Sequence, residues 1–181
     1  QILDTGLQFV ATSVGTLAVA DLSRDLRVAG LAHARGLQDW LGATQALEHA
    51  VHELVLACDG EGEAATRGRG PRRIRWADRS SGRSDASARP VEVAFSAALL
   101  GLAEALGAAQ SSAAAVAETH PDLQRLAERA EELRERLAVF QAPLGVDRVR
   151  WIDLGHHQVR LIDTPLDIRE LMQQSREHTH R

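Results

Sequence analysis

A mainly α-helical fold is what the sequence predicts: a bundle of about four long helices, followed by a short C-terminal β-hairpin and a terminal helix. Three observations lead there. Apolar residues recur at three- and four-residue spacing through successive stretches separated by Gly, Pro or polar runs. That period shortens to two between Val149 and Ile162. Finally, 44% of the residues are hydrophobic but only 3% are aromatic, so alanine and leucine must fill the core.

The elements follow in order. Leu7 to Gly15 (LQFVATSVG) reads as a short strand, and Thr16 as the cap of a helix over 17–34 that Gly36 ends. Leu37, Trp40, Leu41, Leu47, Val51, Leu54 and Val55 then form one apolar face, which places a second helix at 37–58. Residues 59–89 shift to Gly, Ser, Arg and Asp, too polar to bury and too long for an ordinary connection, and read as a functional or disordered loop. Pro90 suits a helix start because its missing N–H would be unpaired there anyway. The third helix runs to about 117, with Val93, Leu99, Leu102, Leu106 and Val116 apolar. Within it Gly101 and Gly107 each cost roughly 1 kcal/mol relative to alanine unless close packing uses them. Pro121 opens a fourth helix whose inner stripe is Leu123, Leu126, Ala130, Leu133, Leu137 and Phe140.

In the hairpin, Val149 and Trp151 face away from Arg150, Ile152 and Leu154; after GHH, Val159 and Leu161 oppose Arg160 and Ile162. Thr164 and Pro165 then begin a last helix carrying Leu166, Ile168, Leu171 and Met172. A two-stranded hairpin is marginal in water, so these strands are expected to pair with or pack on something else, with Val149, Trp151, Val159 and Leu161 incompletely covered.

The 181 residues suffice for one domain, or one domain with a piece of another. Gln1 is not a methionine and no signal-like segment comes after it, so a piece of a longer protein is expected. No apolar run is read as reaching the roughly 20 residues that span a bilayer. The single cysteine, Cys58, makes neither an internal disulfide nor a cysteine-only metal site, which fits a reducing cytoplasm.

Several chemistries are excluded for the chain by itself. It has no phosphate-loop motif, no lysine to serve one and no GxGxxG, so it is not expected to bind nucleotide. His49, His52 and Glu53 sit at helical spacing on a solvated face, His156 and His157 in a hairpin turn, and His178 and His180 at the chain's end. None is read as a metal ligand. Ser80-Ser81 and Ser111-Ser112 lack evident His/Asp partners, so no catalytic residue is expected. All 21 basic residues are arginine, and eight of them lie between Arg67 and Arg89 against Asp78 and Asp85, +6 in a chain of net charge -4. Within that segment RGRGPRRIRW offers Arg67, Arg69, Arg72, Arg73 and Arg75 for nucleic-acid phosphates and Trp76 for stacking on a base. The other reading is a solvated arginine-rich loop.

The ending carries a resemblance. VRWIDL, a turn and VRLIDTPLDIRELM are similar to the segment that precedes the Ser-Ala-Thr motif in bacterial DinG/YoaA-type DNA helicases, relatives of XPD in superfamily two. Arg150-Trp151 and Pro165-Leu166-Asp167 carry the match, and QILDTGL resembles the stretch just after the Asp-Glu-Ala-His box. Between those motifs the family inserts its helical arch domain. The resemblance implies that 1–15 connects from the first motor domain, that 16–146 is the helical arch-like domain with the Arg-rich loop at 59–89, and that 147–181 returns to the motor. It further implies a parent ATP-dependent five-prime to three-prime DNA helicase using ATP, Mg and an iron-sulfur cluster. Single-stranded DNA and the motor and iron-sulfur domains of the same chain would be the partners. No cofactor site falls within these residues. The alternative is an all-helical protein-interaction or regulatory module without a nucleic-acid role; a ferritin-like metal enzyme would need Glu-x-x-His pairs on two helices, which the chain does not offer.

Overall fold

Trp40 and Gly30 set the spacing of the first two helices, and the rest of the bundle builds on that pair. The computed structural model describes residues 11–59, 71–76 and 88–166. Along them run β1 (Thr12–Gly15), α1 (Thr16–His33), α2 (Trp40–Asp59), β2 (Arg72–Arg75), α3 (Ala88–Ala114), a 3-10 turn (Ala117–Thr119), α4 (Pro121–Gln141), β3 (Arg148–Gly155) and β4 (Gln158–Pro165). The helices pack as a ring, α1 on α2, α2 on α3, α3 on α4 and α4 back on α1. The strands form one antiparallel sheet in the order β1-β4-β3-β2. The helical bundle is as expected, but the sheet is larger than a hairpin.

Gly36, at φ 80°, turns the chain after α1. The Trp40 indole N–H then donates to the Ala34 carbonyl at 2.9 Å. Its ring lies so close to Gly30 that a Cβ there would sit 2.2 Å from the indole Cδ2. α2 therefore starts at Trp40 and not at Leu37, and the Asp39 carboxylate caps it by accepting the Gly42 N–H at 2.9 Å. Leu37 and Leu41 fall on the solvent side, while Trp40, Leu47 and Leu54 are buried. Thr16 does not cap α1; its buried hydroxyl accepts the Val159 N–H at 3.0 Å, tying the helix start to β4.

The inner stripe of α4 is buried as its period predicts, from Leu123 through Phe140. In α3, Leu99, Leu102, Leu106 and Val116 just beyond it are buried, whereas Val93 is exposed. Gly101 has open space at its Cβ position, so close packing is not why it is there. The stretch Val93–Ala114 is long and apolar enough to cross a membrane by length and composition, contrary to the sequence reading, because alanines and glycines link its leucines. Its buried side is the core of the bundle. Each fully buried leucine contributes roughly 1.5–3 kcal/mol.

Both edges of the hairpin are paired. β1 runs against β4 with Thr12 opposite Asp163, and β2 against β3 with Ile74 opposite Ile152. β2 and Trp76 arise inside the segment expected to be too polar to bury, and Trp76 is buried. Thr164 and Pro165 do not start a helix; they finish β4 opposite Val149 and Arg148. The helix expected after them lies outside the described residues, as do residues 1–10 and with them the start of the first expected strand. The sheet face carrying Val14, Ile152, Leu154, Val159 and Leu161 is buried, so Val159 and Leu161 are covered after all. Val149 and Trp151 on the other face are half-buried.

Two charges lie inside. Arg150 and Asp163 stand opposite each other in β3 and β4, and the guanidinium Nε donates to Asp163 Oδ2 at 2.8 Å. Nη1 and Nη2 donate to the Ala142 and Val139 carbonyls at 2.8 and 2.6 Å, at the end of α4. A helix C-terminus carries partial negative charge and so favours a cation there. Arg148 pairs with the second Asp163 oxygen. Among the described residues no buried side-chain nitrogen or oxygen lacks a partner.

Two stability measurements check this packing by urea denaturation. Gly30→Ala is expected to destabilise by roughly 1–3 kcal/mol, because the indole must move. Arg150→Met, which leaves the buried Asp163 carboxylate with Arg148 as its remaining cationic partner, is expected to cost up to about 3 kcal/mol. A Gly30→Ala variant as stable as the unsubstituted chain would mean that Trp40 does not pack on α1.

Candidate nucleic-acid interface

The arginine segment becomes an edge strand. Arg67 and Arg69 lie outside the described residues, whereas Arg72, Arg73 and Arg75 pair in register with Leu154, Asp153 and Trp151. Alternation puts Arg73 on the outer face of the sheet. Its guanidinium grips Asp153 with two bonds, Nε to Oδ1 at 2.6 Å and Nη2 to Oδ2 at 3.0 Å. The same group lies 5.9 Å from the centre of the Trp151 ring, within cation–π range. Arg160, exposed on β4, donates to Ser13 Oγ at 3.2 Å.

These residues border an open cleft of about 750 Å³ between the hairpin end, α1 and α4. Arg72, Arg73, Arg136 and Arg160 line it, against Asp21 and Asp153, four cations to two anions. Arg136 is itself paired with Glu132. The Arg73 hydrogen bonds, with the charges of Arg73 and Arg160, hold the Asp153 carboxyl below its ordinary value despite partial burial. Hydrogen bonding to Asp153 likewise raises Arg73 above its own. An anion approaching Arg73 must therefore compete with the Asp153 carboxylate already bound there.

Trp76 is not part of this surface. It is buried edge-on against Phe95, centroids 5.0 Å apart, and tilted on Phe140 at 5.7 Å. The Arg150 guanidinium sits 5.4 Å from its ring centre. Stacking on a nucleic-acid base does not fit that burial. The aromatic ring on the arginine face is Trp151, half-buried and opposite in parity to Arg150. Period-two alternation in the sequence already separates Trp151 from Arg150 and Arg160 from Val159. Arg136 carries no such signal, because Glu132 four residues before it reads as an ordinary solvated helix pair.

The histidines that stand close together in the sequence do not line this cleft. His49 and His52 are exposed on α2, and His156 and His157 form the exposed turn of the hairpin. His178 and His180 lie outside the described residues. Searches among protein-family models, curated proteins and solved structures find no match to this chain.

Two measurements test the geometry. A collisional quencher should reach Trp151 and spare Trp40 and Trp76, so that Trp151→Phe removes most quenching; strong residual quenching would place Trp76 at the surface. The Asp153 carboxyl, followed by NMR, should titrate below exposed aspartates and move up in Arg73→Ala. Since the folded value is the depressed one, the pair's stabilising effect is present at neutral pH and is lost as pH falls through that value. Its exposure keeps that effect small.

Proposed function

We propose that the chain is the arch-like accessory domain of an ATP-dependent five-prime to three-prime DNA helicase, and that it helps to enclose single-stranded DNA during unwinding. The observation that supports this best is the pairing of β1 with β4, Thr12 opposite Asp163. The first and last described strands are neighbours, the arrangement an insertion needs if chain is to leave a larger domain and return to it at one place. An unpaired hairpin no longer argues for a missing partner, because β1 and β2 pair both its edges. The cationic outer face and cleft offer phosphate contacts of the exchangeable kind that a moving strand requires.

In this reading the ATP, Mg and iron-sulfur chemistry belongs to other parts of a cytoplasmic parent, and the chain works mechanically without contacting a membrane. The alternative of a helical protein-interaction module draws on the alanine-lined groove between α2 and α3, floored by Ala50, Ala98 and Ala105.

Three outcomes are expected. Coding sequence around the chain should carry Asp-Glu-Ala-His just before Gln1 and Ser-Ala-Thr soon after Arg181; absence of both removes the helicase assignment. The purified chain should hydrolyse no ATP above background. Oligo-dT anisotropy over a salt series should show binding that weakens in Arg160→Ala, the slope falling by about 0.7 for each phosphate that is no longer neutralised. Binding should strengthen in Asp153→Asn, which releases Arg73. Identical slopes in both variants would take the sheet face out of the DNA path.

A further inference from the structure

At the end of the bundle remote from the arginine face, three donors meet. His33 closes α1, His120 caps α4, and Asp122 stands in the first turn of α4. One donor atom from each lies within 4.8 Å of the other two. The two imidazoles are stacked, centroids 3.5 Å apart and planes 4° from parallel. His120 Nδ1 lies 3.6 Å from Asp122 Oδ2. For a tetrahedral ion with bonds near 2.0–2.1 Å, neighbouring donors stand about 3.3 Å apart, so little movement is needed on that side.

We infer that His33, His120 and Asp122 form a binding site for one divalent transition-metal ion of the zinc class, with water in the fourth position. Two imidazoles and a carboxylate are a donor set that such ions favour. The ligands come from two helices that pack on each other and are bridged by the Arg129–Asp25 ion pair at 2.8 Å, so they are already close before the ion arrives. The lone pair of His120 Nδ1 now accepts the Asp122 N–H at 3.2 Å, a long bond that the ion would replace without any proton leaving the ring. His33, exposed in the last turn of α1, has room to tilt its ring out of the stack and aim a nitrogen at the same point. A competing cation is Arg125, whose Nη1 lies 3.4 Å from Asp122 Oδ1. The site involves none of the histidines paired in the sequence, because its members are 87 positions apart and only the packing of α1 on α4 joins them.

The test uses the whole chain stripped with EDTA. Co2+ should bind with a stoichiometry of one and give the visible bands of a tetrahedral site, and Zn2+ should displace it in calorimetry. His33→Ala, Asp122→Asn and His120→Asn, the last retaining an N-cap, should each weaken binding by at least the roughly 10- to 100-fold that loss of an outer-shell partner costs. Far-UV circular dichroism should be unchanged. A double substitution of His178 and His180 should leave binding intact. The inference fails if no saturable one-to-one binding occurs, or if binding survives His33→Ala and disappears with His178 and His180.

Discussion

The buried pair of Arg150 and Asp163 is the interaction on which the union of sheet and bundle depends. A guanidinium has five donors in a fixed plane, and burial requires that each find an acceptor or a ring face. Here Nε donates to the cross-strand carboxylate and Nη1 and Nη2 to two carbonyls at the end of α4, while the guanidinium carbon lies 5.4 and 5.8 Å from the ring centres of Trp76 and Phe140. One side chain thus fixes the register of β3 on β4, the stop of α4 and the seat of the residue just after β2. Apolar side chains in the same place would tolerate sliding; a planar hydrogen-bonding group does not. Net stability of a domain is only about 5–15 kcal/mol, so a single misplaced charge here would decide whether the sheet docks.

That constraint also explains the two-faced sheet. Inner positions hold Val14, Ile152, Leu154, Val159 and Leu161, which need the helices, whereas outer positions hold Arg73, Asp153 and Arg160, which need water or a charged partner. β2 belongs to this design. It is short, lies at the edge, and has arginines at three of its four positions, features that discourage pairing with another molecule's strand.

The helices are legible in the sequence because their signal is long. α4 carries six apolar positions in strict period, and every one is buried. The start of α2 is not, because Leu37 continues the apolar spacing, while the Asp39 cap that ends the turn is a single residue. β2 escapes the sequence for a different reason: Arg-Arg-Ile-Arg has one apolar side chain, and its place in the sheet is decided by Trp76 packing on Phe95 and Phe140, a contact across the chain. Thr164-Pro165 has the same local form whether it opens a helix or closes an edge of pairing, and the backbone partners Val149 and Arg148 decide it. At the candidate interface, Arg73 is evident from composition. Trp151 and Arg160 follow from alternation once the sheet is known, whereas Trp76 reads as a solvent residue because arginines surround it in sequence although rings surround it in space.

The adjacency of β1 and β4 has a mechanical corollary. Thr12 and Asp163 sit at the same end of an antiparallel pair, so tension that separates the flanking chain loads the inter-strand hydrogen bonds one after another, as in opening a zip, and not all together in shear. Such a joint yields to low force when its two leads are spread. It resists bending much better, because Thr16 bonded to Val159 braces the base of α1 against β4. Load applied there would reach the β1–β4 edge of the sheet first, and β1 would peel before β4 parted from β3.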